Sequence, residues 1–441
     1  MKTLIAGSVI LTCDDRMSVV EQGDLVMDNG RISFVGERYE GEYDVRLSGA
    51  GKLLLPGLVN AHTHSGMSLF RSLADDVDLM VFLAERVWPR EVKLRPDDVY
   101  VGSVMSSIEM LKCGVTTSVD MYFFEEELLR AAIDTGVRSL ITPTIIDVPT
   151  WTAVLGSWEQ QLRRALDFCV GRDGLEDRIH TGLGPHAPYT VSLDALAVIA
   201  QEARRFDKPL NIHLVETQLE RDNFNGRGRG STAHVLEEIG FFDGPVIAAH
   251  SIWIDAGDIE IYAAEDVGVA HCPQSNAKLA AGIAPIADML RGGVHVGLGT
   301  DGAATNNNHD MWGEMRMAAV LQKVTARDPK LLPAHQALSL ATRIGAQAVH
   351  LDDLGVLCEG FRADLVMLDI ADTLAVPVFT PETFISHAVY SFGAQLVDSV
   401  WVDGRQVVKQ GEILSVDEER ARRAVQKAAV DLSERAGAVP A

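Results

Sequence analysis

His62 and His64 end a short apolar run, LLLPGLVNAHTH. Side chains two residues apart on an extended segment point to the same side, so both imidazoles can reach one cation. Two further metal-binding residues stand far downstream, each closing its own strand-like run: His213 after PLNI and Asp301 after HVGLGT. Three imidazoles and a carboxylate suit zinc and leave one coordination position for water. A divalent cation there turns that water into a nucleophile at neutral pH. The chemistry is that of a metal-dependent hydrolase. A bare HxH is a weak signal, because core histidines produce it by chance. The PGLVNAH context, the later histidine and the aspartate inside GTDG together outweigh that structural alternative.

Two more ionisable residues stand close to these positions. Glu216 lies three residues beyond His213 in the string HLVET. Alone it reads as a solvated loop residue or a helix N-terminal charge. Beside a metal ligand it reads as the acid that protonates a leaving nitrogen. His250, in VIAAHS, can hydrogen-bond the attacking water or steady a tetrahedral intermediate. A satisfied core histidine is the competing reading. Asp301 can do a second job by accepting the proton of the water.

These residues must be brought together by the elements between them. The first fifty residues carry β-branched residues and Gly/Asn/Asp turns, as in LIAGSVIL and GDLVMDNGRISFVGE, and DNG is a hairpin signal. From Leu53 the rhythm becomes strand, loop, helix. It predicts strands near 53–59, 115–119, 138–146, 178–184, 209–213, 245–249, 267–271 and 294–300. Amphipathic helices intervene, such as DDVYVGSVMSSIEMLKCG and STAHVLEEIG, with Gly114 and Gly240 in C-cap positions. Eight such strands predict a (β/α)8 TIM-like barrel rather than a doubly wound sheet. The candidate ligands fall at the ends of strands 1, 5 and 8, and only a closed barrel makes strands 1 and 8 neighbours. After residue 360 strands return (ADLVMLDI, SVWVDG, RQVVKQG), followed by a final helix. The expected organisation is a β-sandwich part over 1–52, the barrel over 53–360, and a second sandwich part with the C-terminal helix over 361–441.

The barrel reading sharpens the metal count. Two-metal barrels commonly bridge their ions with a carboxylated lysine on strand 4, and no lysine occurs between Lys112 and Lys208. One divalent ion per chain is expected, Zn2+ ahead of Fe2+, with a bridging Glu or Cys left open. Cys272, beside His271, offers another ligand, but a small buried thiol at a strand end is the preferred reading.

Bulk properties narrow the class. The 441 residues are 47% hydrophobic and 23% charged, a globular rather than disordered balance. A net charge of −23 argues against a polyanionic partner, so no nucleic-acid binding is expected. Five scattered cysteines without a CxxC fit a reducing cytoplasm. The N-terminus, MKTLIAGSVILTC, reads as a first β-strand rather than a signal peptide, because Asp14 and Asp15 follow at once. No apolar run approaches a transmembrane length, so no membrane association is expected.

The strings PGLVNAHTH, HLVET, AAHS, HCPQSN and GTDGAATNNNHDMWGEMR resemble the amidohydrolase superfamily. Within it they resemble the chlorohydrolase/aminohydrolase branch, and most closely the S-adenosylhomocysteine/5′-methylthioadenosine deaminases. The resemblance spans nearly the whole chain. It implies a zinc barrel flanked by a composite β-sandwich, with His62, His64, His213 and Asp301 as ligands and Glu216 and His250 as catalytic groups. It also implies substrate contacts. Glu91, in WPRE, matches a glutamate that holds ribose hydroxyls, as a carboxylate accepting two donors can. His186, in GPHAPYT, matches a histidine that contacts the purine. Thr305 stands where a serine is usual, and Phe82 where a tryptophan is often found. Arg138 is the one arginine on the strand-3 segment. Relatives that take the amino-acid tail of S-adenosylhomocysteine carry another just beyond, and without it the tail lacks a clear bidentate partner. Arg227 and Arg229, in NGRGRGS, are the alternative partners, although a solvated loop is the plainer reading.

The resemblance implies hydrolytic deamination of an adenine nucleoside: adenosine, 5′-methylthioadenosine or another short 5′-substituted adenosine ahead of S-adenosylhomocysteine. Another aminated heterocycle (guanine, a pterin, cytosine, an s-triazine) is the alternative. A catalytically dead scaffold is a distant third, since such relatives lose ligands that are all present here. Relatives often self-associate, so a homo-oligomer is expected.

Overall fold

The hydrophobic run from Lys52 to His64 is interrupted at Pro56-Gly57, and the chain changes sheets there. In the computed structural model, which describes residues 1–225 and 230–437, Lys52–Pro56 belongs to a terminal sheet and Leu58–His64 is the first barrel strand. The strand expected over 53–59 is therefore two strands, and the chain passes from one sheet to the other at Gly57. An unbroken apolar run cannot reveal this. What marks it is Gly57, where a Cβ would lie 2.0 Å from the Thr116 hydroxyl of the neighbouring strand.

The terminal sheet has nine strands. The N-terminal segment supplies Thr3–Leu11, Val19–Asp28, Arg31–Gly36, Val45–Ser48 and Lys52–Pro56. The C-terminal segment supplies Leu365–Asp369, Val397–Val402, Arg405–Lys409 and Glu412–Ile413. Lys52–Pro56 pairs antiparallel with Leu365–Asp369, with Leu54 opposite Met367, and joins the two ends of the chain in one ladder. The DNG hairpin turns through Asn29 and Gly30, at φ of 49° and 76°, the left-handed pair that a two-residue turn requires.

The eight-stranded barrel follows the expected order. Strand 1 is Leu58–His64 and strand 2 is Val115–Asp120. Strand 3 is split into Arg138–Ile141 and Thr144–Ile145, and strand 4 into Ile179–Thr181 and Gly184–Pro185. Strands 5, 6 and 7 are Leu210–Leu214, Val246–His250 and Gly268–His271, and strand 8 is Val296–Leu298 with Asp301–Gly302. All neighbours pair in parallel, a bridge between Leu183 and Leu210 links strands 4 and 5, and Asp301 pairs with Thr63 to close the cylinder. Closure at that point sets the aspartate beside the two histidines of strand 1. The opposite end is plugged. Val59, Ala61, Ile247, Ala249 and Ala270 cluster with Ala346, Val349 and Leu354. Gly268 lacks the Cβ that would collide with the Ala348 carbonyl at 1.8 Å.

The helix Pro96–Lys112 ends with Gly114 at φ 86°, and Thr232–Glu238 starts on the Ser231 side chain. The C-terminal helix Glu418–Ala436 packs on the helix Pro96–Lys112. Lys112 pairs with Glu418 at 2.8 Å, Arg435 pairs with Asp98, and Ala421 is buried with Val104 and Ile108. No described helix is long and apolar enough to cross a membrane.

Candidate active site

Every candidate ligand lies at the C-terminal mouth of the barrel, where βα loops build sites. His62 and His64 end strand 1, His213 is in strand 5, and Asp301 follows the break in strand 8. The His62 Nε2 and His64 Nε2 atoms lie 4.0 and 3.3 Å from Asp301 Oδ1, and the His64 and His213 Nε2 atoms are 3.2 Å apart. Two sets of three ligand atoms fall within 4.8 Å of one another: His62, His64 and Asp301, and His62, His213 and His250. His62 is common to both, so the structure brings together all four expected ligands and adds His250 as a neighbour.

The hydrogen bonds around these rings prepare them for a cation. His64 Nδ1 is 2.5 Å from the Met121 carbonyl and His213 Nδ1 is 2.7 Å from the His186 carbonyl. A carbonyl accepts only, so each Nδ1 carries the proton and each Nε2 keeps its lone pair. Two lone pairs would then face each other across 3.2 Å, an arrangement that a cation or a proton between them relieves. His62 is fully buried, and neither of its ring nitrogens makes a close hydrogen bond, Asn211 offering only a weak approach. An orphaned polar ring in a dry interior is costly, and a bound ion would satisfy it. Burial, with the neighbouring imidazoles, holds His62 and His213 well below the usual histidine range, in the neutral ligating form. Burial alone would raise Asp301, yet His64 and the other imidazoles hold its carboxyl well below the carboxylate range. Ser275 Oγ donates to its second oxygen at 2.6 Å. The donor set fits a divalent metal such as zinc.

Glu216 and His250 face this cluster. His250 Nε2 lies 3.9 Å from Glu216 Oε2, and its Nδ1 meets Asn276 Oδ1 at 2.9 Å. Burial, opposed by His250 and reinforced by Asp301, raises the Glu216 carboxyl. That favours the protonated form an acid catalyst needs. The turn carrying Glu216 is held by Glu220, whose carboxylate accepts from the Val215 and Glu216 amides at 3.0 and 3.3 Å. Val215, His250, Ser251 and Asp301 all have positive φ, at 49°, 71°, 47° and 59°. For a β-branched valine this conformation costs about 1–3 kcal/mol, a strain that clusters at functional sites.

A cleft of about 630 Å³ opens onto the cluster. Glu91, His186, Thr305 and Phe82, the expected substrate contacts, all line it. The Glu91 carboxyl is buried and accepts from the Tyr122 hydroxyl at 2.7 Å. Burial pushes it up to about 7 against the pull of Tyr122 and His64. His186 Nδ1 is 2.9 Å from Thr190 Oγ1, and burial drops its pKa to about 3, so its ring is neutral. Thr305 Oγ1 donates to the Gly302 carbonyl at 3.0 Å.

Arg138 is not in the cleft. It begins strand 3, at the opposite end from the mouth, and is fully buried, with Nε and Nη2 on the Asp364 carboxylate at 2.7 and 2.9 Å. The expected substrate contact is instead a tie to the terminal sheet. Arg227 and Arg229 lie outside the described residues. Cys272 is a buried thiol in neither ligand group. Four supporting residues escaped the sequence reading: Tyr122, Glu220, Ser275 and Asn276. The last two sit inside HCPQSN, a string noted for its resemblance but not resolved into roles.

Residues 53–407 match the amidohydrolase family. A 5-methylthioadenosine/S-adenosylhomocysteine deaminase of Pelotomaculum thermopropionicum is 39% identical over 437 residues, covering 98% of this chain and 99% of that protein. A 5′-deoxyadenosine deaminase of Methanosarcina acetivorans is 38% identical over 436 residues, 99% of each chain. A solved adenosine deaminase from Xanthomonas campestris with bound zinc aligns at a TM-score of 0.93 and 32% identity, covering 98% of both chains. A family match over most of the sequence, with relatives aligned end to end on the same mouth-centred barrel, makes this chain a member of the amidohydrolase family.

Proposed function

We propose that this chain is a zinc-dependent deaminase of adenine nucleosides, converting the 6-amino group to a 6-oxo group with release of ammonia. The observation that carries the reading is the meeting of His62, His64, His213 and Asp301 with Glu216 at one end of a cleft whose wall holds the Glu91 carboxyl. The relatives named above act on this substrate class. His62, His64, His213 and Asp301 would hold one zinc ion, which when bound supplies the polarisation that makes water nucleophilic at neutral pH.

The chain's own residues do the rest. Asp301 takes the proton of the attacking water as its oxygen adds to C6. Glu216, whose carboxyl burial raises, gives its proton to the ring nitrogen N1. His250, fixed by Asn276, hydrogen-bonds the oxygen on C6 as charge develops there. The proton on Asp301 passes to the amino nitrogen, which leaves as ammonia. The C6 hydroxyl returns its remaining proton to Glu216 as it becomes a carbonyl, so both acids are restored and one water is consumed per ammonia released.

The ribose diol would donate to Glu91, with the neutral His186 ring on the purine. Leu79, Phe82, Leu83 and Trp88 give the cleft an apolar wall, and none of its described lining residues is Lys or Arg. An adenosine with a short or apolar 5′ substituent therefore suits it better than one with an amino-acid tail. The free cysteines fit a reducing cytoplasm. The deciding experiment ranks adenosine, 5′-deoxyadenosine, 5′-methylthioadenosine and S-adenosylhomocysteine by kcat/KM, following the adenine absorbance. No turnover of any of them by zinc-loaded protein ends the reading.

A further inference from the structure

Glu314 has no part in the chemistry above, yet it is completely buried in the first turn of the helix Met311–Ala326. A carboxyl group removed from water must have its oxygens occupied. Burial pushes Glu314 up to about 8, and the acidic Asp310 and Asp301 push the same way. What opposes them is a pair of directed hydrogen bonds. Oε2 accepts from the Gln274 amide at 3.2 Å, and Oε1 accepts from the Asn306 side-chain amide.

Both donors belong to segments that serve the candidate site. Gln274 lies in the short helix Pro273–Lys278 after strand 7. The next two residues are Ser275, whose hydroxyl reaches Asp301 at 2.6 Å, and Asn276, which meets His250 at 2.9 Å. Asn306 also donates to the Thr300 carbonyl at 2.8 Å, one residue before Asp301. The helix carrying Glu314 docks directly on the turn: a Cβ on Gly313 would come within 2.8 Å of the Gln274 side-chain Nε2, a different atom from the backbone N–H that donates to Glu314.

We propose that Glu314 is a positioning residue whose carboxyl clamps the Pro273–Lys278 turn to the Thr300–Asn306 loop, fixing the Ser275 hydroxyl on Asp301 and the Asn276 amide on His250. The inference rests on the roles given above to Asp301 and His250. Glu314→Gln tests it at nearly constant volume. An amide has one acceptor, so its nitrogen must face a donor, and one of the two bonds is lost whichever way it turns. Asn306→Ala removes the Asn306 arm, together with its bond to the Thr300 carbonyl, and stands in where the first variant folds poorly.

Zinc affinity, measured by competition with a chelator, is expected to weaken about tenfold in either variant, as for other groups that orient a ligand. With a turned-over nucleoside, kcat falls by a similar factor while KM stays within about twofold, since neither clamped group binds the ground state. Because Glu314 acts through Ser275, its effect on zinc affinity in a Ser275→Ala background should largely vanish. A merely structural Glu314 would lower the melting temperature and leave zinc affinity and kcat per folded site unchanged. The clamp is overturned if both variants keep wild-type zinc affinity, or if the Glu314→Gln and Ser275→Ala losses multiply. Zinc titration needs no substrate. A wild type that binds zinc but deaminates no adenine nucleoside ends the substrate reading and leaves the clamp standing. A wild type that is active while both variants bind zinc normally ends the clamp alone.

Discussion

The Glu91 carboxyl is buried in the cleft wall, raised to about 7 by that burial and held down by the Tyr122 hydroxyl at 2.7 Å. A carboxylate accepts both donors of a diol, and a protonated acid does so poorly. If the ribose diol donates to Glu91 as proposed, nucleoside binding should be present above that value and be lost as pH falls through it. The kcat/KM for adenine nucleosides should decline below about pH 7 for this reason. Tyr122→Phe removes a group that lowers the Glu91 value, so the decline should move to higher pH. At neutral pH KM should rise about two- to tenfold, the weight of one hydrogen bond, with kcat little changed. An acid limb that does not move would take Glu91 out of substrate binding. Glu216→Gln tests the proton donor: kcat should drop by about a hundredfold to ten-thousandfold with zinc content unchanged. Full turnover by that variant would remove Glu216 from the reaction. The metal-type residues were readable in the sequence because few residue types ligate zinc, and each closes an apolar run. Tyr122 was not. In MYFF it is one core aromatic among several, and its partner lies 31 residues away. Glu220 was hidden for the same reason, as one more charge at a helix start.

At the scale of elements, alternation and turn residues showed where strands and helices lie but not how strands end. Strands 3, 4 and 8 are each broken in two near the mouth. The left-handed backbone at Val215 has no sequence signal, since a β-branched residue disfavours it, and at His250 and Asp301, whose types are enriched there, residue type alone does not mark the position. Tertiary packing imposes both features, and both re-aim side chains into the site. Gly57 is the most exacting case, because it lets the chain cross from the terminal sheet into strand 1 against Thr116. Gly57→Ala should cost about 1–3 kcal/mol as overpacking of a full interior, read as a lower urea midpoint. The displaced strand carries His62 and His64, so zinc occupancy should fall in the same variant. Wild-type stability together with full zinc content would show that the crossing tolerates a side chain.

The whole molecule is held by the contact between the terminal sheet and the closed end of the barrel, and Arg138 is at its centre. Its guanidinium grips Asp364 bidentately and lies 3.6 Å from Asp403, the first just before the strand Leu365–Asp369 and the second in the turn between Val397–Val402 and Arg405–Lys409, while Nη1 donates to the Asp177 carbonyl. Asp403 also pairs with Arg362 at 3.2 Å, and its amide donates to Asp364 at 2.7 Å. A sequence shows that an arginine stands on a strand; it does not show which end of the barrel the arginine serves. The two assignments predict different losses. Arg138→Met leaves the Asp364 carboxylate buried without its partner, which should cost about 3–5 kcal/mol in chemical denaturation. Removing both charges together, as Arg138→Met with Asp364→Leu, should recover much of that stability, because the cost lies in the stranded charge rather than in the absence of the pair. At a temperature where the variants stay folded, the ratio of kcat/KM for S-adenosylhomocysteine to that for 5′-methylthioadenosine should match wild type. A selective loss of the amino-acid-tailed nucleoside in Arg138→Met, with stability intact, would return Arg138 to the substrate and undo its place in the domain contact.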